Sequence, residues 1–111
     1  MKLSGKAASS GEVTAVARVI TSLDKISSFG PGEILVTVAT CPMWTPVIAA
    51  AGGVVTETGG ALCHAAIVSR EYGIPAVVAL KDATKKIRDG QIVKVDGTKG
   101  TVEIINDAHR R

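Results

Sequence analysis

The sequence predicts an α/β fold built as one domain. Three observations lead there. Short aliphatic runs alternate with helix-like stretches at the spacing of βαβ units. A pair of aliphatic runs near the C-terminus flanks a glycine-containing turn. The composition is 46% hydrophobic but only 3% aromatic, so the core must be Val, Ile, Leu and Ala, which suits strands under tightly packed helices. At 111 residues the chain has room for one core and little for a second, so residues 1–111 are read as one domain.

The first eleven residues are mostly small and polar and read as a flexible entry, followed by a strand over residues 13–20. Ser22 is placed to cap a short turn over 23–26, and Pro31-Gly32 makes a corner before a buried strand over 34–38. Thr45 stands as a capping hydroxyl before Pro46 at the first helical position, which predicts a short helix over 46–51 stopped by Gly52-Gly53. Val54-Val55-Thr56 is a strand, Gly59-Gly60 a turn, and residues 61–72 a helix closed by Gly73 with Pro75 just beyond. A strand over 75–80 completes two overlapping βαβ units, from Ile34 and from Val54, which implies parallel strands with right-handed crossovers. Residues 92–95 and 101–105 then form a hairpin.

Thirteen Lys and Arg stand against ten Asp and Glu, a net charge of +3, with the bases scattered except at Lys81, Lys85, Lys86 and Arg88. With one Trp, one Tyr and one Phe there is no aromatic platform for bases, so nucleic acid is not an expected partner and the basic group reads as a solvated face. Cys41 and Cys63 fit no zinc spacing and no export leader is evident, so a reducing, cytoplasmic setting is expected. No apolar stretch approaches the roughly 20 residues of a membrane-spanning helix, so no membrane association is expected.

His64 is the residue with the clearest chemistry. On a wheel of about 100° per residue, Leu62, Cys63, Ala65, Ala66, Ile67, Val68 and Tyr72 cover most of the 61–72 helix, which therefore reads as largely buried. Glu71 lies about two turns from His64, too far to orient it. A histidine satisfied by a backbone carbonyl is the plain alternative. Against it, His64 falls in the first helical turn, where free backbone N–H groups and the positive end of the dipole favour an anion. The preceding Gly59-Gly60 lets backbone approach a ligand, and a neutral imidazole is a competent nucleophile toward phosphorus. A metal or thiol site from Cys41, Cys63 and His64 is disfavoured, because adjacent Cys63 and His64 diverge by about 100° on a helix.

The run Thr56-Glu57-Thr58-Gly59-Gly60-Ala61-Leu62-Cys63-His64-Ala65-Ala66-Ile67-Val68-Ser69-Arg70-Glu71-Tyr72-Gly73-Ile74-Pro75-Ala76-Val77-Val78 resembles the mobile phosphohistidine domain of phosphoenolpyruvate-utilising enzymes. The likeness continues through Gly32-Glu33-Ile34-Leu35-Val36, Trp44-Thr45-Pro46, Asp82-Ala83-Thr84 and Val95-Asp96-Gly97-Thr98-Lys99-Gly100-Thr101-Val102, leaving only the termini outside. Within that family the chain looks most like the rifampin phosphotransferase and phosphoenolpyruvate synthase type, and Leu62, where dikinases and synthases often carry Thr, is tolerated by the rifampin branch. The resemblance implies a β/β/α swivelling domain in which His64 is phosphorylated. It further implies that Gly59 and Gly60 shape the site, that Thr56 lies on its wall, and that Cys63 keeps a weakly hydrogen-bonding side chain beside the histidine. Arg70 would either pair with phosphate oxygens or serve the structure. His109 matches nothing in the motif.

In that family the swivelling domain takes phosphate from ATP bound on an ATP-grasp domain and delivers it at a separate acceptor site, so the resemblance implies that His64 is charged from ATP or phosphoenolpyruvate held on a partner domain or subunit. This chain shows no phosphate-binding loop and no acidic cluster for magnesium, so it is expected to bind no cofactor by itself. Mg and ATP are expected on a partner domain or subunit, alongside an acceptor-binding partner, and the chain is a phosphotransferase component rather than a whole enzyme. The rival reading is a binding or regulatory module that keeps the fold while His64 accepts no phosphate.

Overall fold

The computed structural model describes residues 2–106. In chain order the strands are β1 (Lys2–Ser4), β2 (Lys6–Ser9), β3 (Glu12–Val19), β4 (Ile34–Thr37), β5 (Gly53–Thr56), β6 (Ala76–Val78), β7 (Ile92–Asp96) and β8 (Thr101–Asn106). The helices are α1 (Thr45–Ala50), α2 (His64–Tyr72) and α3 (Ala83–Lys86). The strands form one eight-stranded sheet in the order β1-β8-β7-β3-β4-β5-β6-β2. Its centre, β3 to β6, is parallel, and β4-α1-β5 and β5-α2-β6 are the two expected βαβ units. The β7–β8 pair is the expected antiparallel hairpin.

Alternation along the central strands divides the core in two. Leu35, Val54, Ala76 and Val78 face one way and pack under α1 and α2 against Ile48, Ala65, Ala66 and Val68. Their neighbours Ile34, Val36, Val55 and Val77 face the other way and meet Val93, Val95 and Val102 of the hairpin. The sheet therefore curls until its antiparallel end covers one face of its parallel centre while helices cover the other, giving β, β and α layers. Because both faces of β4, β5 and β6 are buried, these strands read as continuous aliphatic runs.

Several boundaries differ from the expectation. The N-terminal residues form β1 and β2 instead of a flexible entry: β1 pairs with β8, and β2 pairs with β6. Small residues allow this. Ala8 and Ser9 are buried, and the β7–β8 turn closes on them so tightly that a Cβ on Gly97 would lie 1.8 Å from the Ser9 carbonyl oxygen. Local propensity gives no sign of such strands, because the partners come from the far end of the chain.

α2 begins at His64 and not at residue 61, because Cys63 is extended (φ −73°, ψ 163°) and its N–H turns back to the Gly60 carbonyl. Leu62, Ile67 and Tyr72 are exposed, so α2 buries only Ala65, Ala66, Val68 and Ser69. Gly73 closes it in the left-handed conformation, as expected. Thr45 is itself helical (φ −53°, ψ −45°), continuing a 3₁₀ turn over Pro42–Trp44, so it is not a cap. Ser22 bonds the Asp24 carboxylate and leaves the following 3₁₀ turn, Leu23–Ser28, without a side-chain cap. The strand expected over 75–80 shortens to Ala76–Val78 and is followed by Ala79 at φ 56°. His109 lies outside the described residues.

Candidate functional site

The site gathers at the C-terminal ends of β4 and β5, where the chain leaves the sheet. His64 is the first residue of α2, directly after Cys63 at the N-cap. Its ring is held on both nitrogens: Nδ1 lies 2.7 Å from Thr40 Oγ1 and Nε2 lies 3.1 Å from Thr45 Oγ1. Thr40 belongs to the connection from β4 into α1, and Thr45 is the first residue of α1. A hydroxyl donates or accepts as required, so the pair fixes the plane of the ring while accommodating either tautomer.

Beside the ring opens a cleft of about 160 Å³ lined by Ala39, Thr40, Thr56, Thr58, Gly59 and Cys63, with His64 and Ala65 behind. Its wall is made of hydroxyls, a thiol and small apolar groups. Thr56 Oγ1 donates to the Thr58 carbonyl at 2.7 Å, and the Glu57 and Thr58 N–H groups both donate to the Val38 carbonyl, binding the loop after β5 to the end of β4. The Glu57 carboxylate turns away to accept from the backbone N–H and hydroxyl of Thr84 in the first turn of α3. The Thr84 hydroxyl, then its backbone N–H, hold the Glu57 carboxyl below its ordinary carboxylate value.

The two glycines play different parts. Gly59 has φ +117°, and a Cβ there would stand 2.7 Å from Cys63 Sγ. At Gly60 a Cβ would meet nothing within 4 Å. The steric requirement expected of both falls on Gly59.

Arg70 reaches backward along its helix. Its Nε donates to the Ala8 carbonyl at 2.8 Å and its Nη2 to the Ala61 carbonyl, so it ties β2 to the loop that leads into His64. Glu71 is exposed and Cys41 is an exposed free thiol. Among the described residues, no group of three or more His, Cys, Asp or Glu is placed to hold a metal ion, and no helix is long and apolar enough to cross a membrane.

Thr40 and Thr45 were not singled out as site residues by sequence reasoning. Thr45 reads as a helix cap beside Pro46, and its part in the Trp44-Thr45-Pro46 likeness was the one available signal. Thr40 sits in an irregular stretch with no periodicity to mark it.

The model of the family described as PEP-utilising enzyme, mobile domain, matches residues 29–100, from before β4 through the β7–β8 turn. The chain belongs to this family. The mobile domain is similar to rifampicin phosphotransferase of Bacillus subtilis (strain 168), 46% identical over 100 residues that span 90% of this chain and 11% of the relative. It is similar also to a probable phosphoenolpyruvate synthase of Archaeoglobus fulgidus, 50% identical over 100 residues, 90% of this chain and 13% of that protein. Among solved structures, an NMR structure of Enzyme I aligns with TM-score 0.62 and 31% identity over 71% of this chain and 33% of that one. The mobile domain thus spans about an eighth of the length of such curated relatives, which carry other domains in the same chain.

Proposed function

We propose that this mobile domain is a phosphohistidine carrier in which His64 accepts a phosphoryl group from ATP or phosphoenolpyruvate held by a partner domain or subunit and passes it to an acceptor held elsewhere. The observation that carries this reading is the imidazole at the first turn of α2, gripped on both nitrogens by threonine hydroxyls beside an open cleft. The attacking nitrogen gives up its threonine hydroxyl, while the threonine on the other nitrogen keeps the ring oriented for in-line attack. The free N–H groups of the first helical turn favour the anionic product.

With ATP as donor, the lone pair of one ring nitrogen attacks a phosphorus of the bound nucleotide. An N–P bond forms, the bond from that phosphorus to its bridging oxygen breaks, and the remainder of the nucleotide leaves with that electron pair. The other ring nitrogen keeps its proton. In the second half, an acceptor oxygen attacks phosphorus, the N–P electron pair returns to the ring, and the acceptor's proton passes to a base or to water. Threonine supplies positioning and no charge, so an ATP-grasp partner would bring the nucleotide and the magnesium that neutralises its phosphates.

The test is intact-mass analysis at alkaline pH after incubation with ATP, magnesium and a nucleotide-binding partner. The expected result is a gain of one phosphoryl mass, lost in acid and absent from His64→Ala. An unmodified wild type, with a partner that charges a related mobile domain, would instead favour the binding-module reading.

A further inference from the structure

We infer that residues 79–84 form a brace for the cleft wall, and that Glu57 is the positioning residue through which this brace sets the place of His64; the inference rests on the phosphohistidine reading. Three hydrogen bonds tie the brace to the segment that leaves β5. The Leu80 N–H donates to the Thr56 carbonyl at 3.0 Å. The Thr84 N–H and hydroxyl both donate to one oxygen of the Glu57 carboxylate, at 2.9 and 2.5 Å. The brace has a firm base, because Leu80 and Ala83 are buried in the same core cluster as Val36, Val55 and Val77. Ala79 (φ 56°) and Asp82 (φ 59°) are the two non-glycine residues with positive φ among the described residues, and both stand in this segment. Strain of this kind persists where surrounding contacts over-determine the backbone, and it gathers at functional sites.

The brace reaches His64 through the wall. Thr56 on one side of Glu57, and Thr58 and Gly59 on the other, line the cleft, while the Glu57 carboxylate is turned to α3. Gly59 fits so closely against Cys63 that a Cβ there would stand 2.7 Å from its Sγ, and Cys63 immediately precedes His64. A displacement at Glu57 therefore passes along to the first turn of α2 and to the space beside the ring. Thr84 does not line the cleft itself, so its influence on the histidine runs through Glu57. With its carboxyl held below the ordinary value, Glu57 is ionised at neutral pH and accepts charge-assisted hydrogen bonds, which are stronger than neutral ones.

The experiment labels the 111-residue chain with phosphoramidate, a small phosphoryl donor, and follows phosphate on His64 by peptide mapping at alkaline pH. Glu57→Ala removes the acceptor and is expected to slow labelling by about 10-fold, the scale of a small misplacement of reacting groups. Glu57→Gln keeps a side-chain oxygen that can accept from both Thr84 donors and should stay near wild type. Thr84→Val leaves only the backbone donor and should show a partial loss that adds nothing to Glu57→Ala, since the two act through one contact. Val102→Ala, in the core on β8, is the control for general loosening: it should lower stability and label at the wild-type rate. The inference is overturned if Glu57→Ala labels as fast as wild type, if Glu57→Gln is as slow as Glu57→Ala, or if Val102→Ala is slowed as much. Failure of wild type to label on His64 would instead remove the phosphohistidine reading, and the brace with it.

Discussion

His64 Nδ1 and Thr40 Oγ1 stand 2.7 Å apart, the shorter of the two contacts that hold the imidazole. The isosteric change Thr40→Val removes that hydroxyl and keeps the shape. A lost hydrogen bond of about 1 kcal/mol corresponds to roughly 5-fold in rate, so the variant should accept phosphate about that much more slowly. Thr45→Val, at the longer contact, should cost less. Rates followed by intact mass, together with ¹⁵N NMR of the ring, check this; a rate loss without any change in ring nitrogen shifts would place the effect outside the hydrogen bond.

Gly59→Ala should destabilise the domain by about 1–3 kcal/mol, since it adds a methyl in van der Waals overlap with Cys63 at a positive φ. Gly60→Ala should stay within about 0.5 kcal/mol of wild type. Urea unfolding of the two variants side by side gives the comparison, and equal losses would contradict the geometry.

Ala79 holds φ 56° at the end of β6, a conformation that strains an L-residue. Ala79→Gly relieves the strain and adds entropy to the unfolded chain, leaving a net gain of about 0.5–1 kcal/mol. Thermal denaturation should show a melting temperature higher by a few degrees.

Glu57 has its carboxyl held below the ordinary value by Thr84. The folded state therefore binds the proton more weakly than the unfolded state, and the Glu57–Thr84 contact contributes fully above the unfolded pKa. That contribution fades as pH falls through the lower, folded value. Glu57→Gln should flatten part of the acid dependence of stability, and denaturation curves from neutral pH down through the carboxylate range would reveal it. An unchanged acid slope would mean the pair has no energetic role.

Much of this architecture is legible in the sequence because burial on both sides leaves a local mark. The aliphatic runs at Ile34 and Val54, the left-handed Gly73 and the β7–β8 hairpin all announce themselves within a few residues. β1 and β2 do not, since their evidence is a fit between small side chains and a turn formed by Gly97 and Gly100, far along the chain. The site divides in the same way. His64 and Gly59 stand in one contiguous run, whereas Thr40 and Thr45 reach the ring only after β4 and β5 have paired. The helical wheel overstates the burial of α2, because Ile67 and Tyr72 lie on the exposed side of the helix and Leu62 belongs to the turn before it.

Arg70 binds the carbonyl of Ala8, and Ala8 belongs to a strand that has no place to lie until β6 exists and the β7–β8 turn has closed over it. The residues that come first in this domain are thus among the last to find their partners. Such high contact order slows folding. It also orders events during synthesis: the loop before His64 acquires its final anchor only when nearly the whole domain has emerged, so an unfinished chain presents a histidine that is not yet held for transfer.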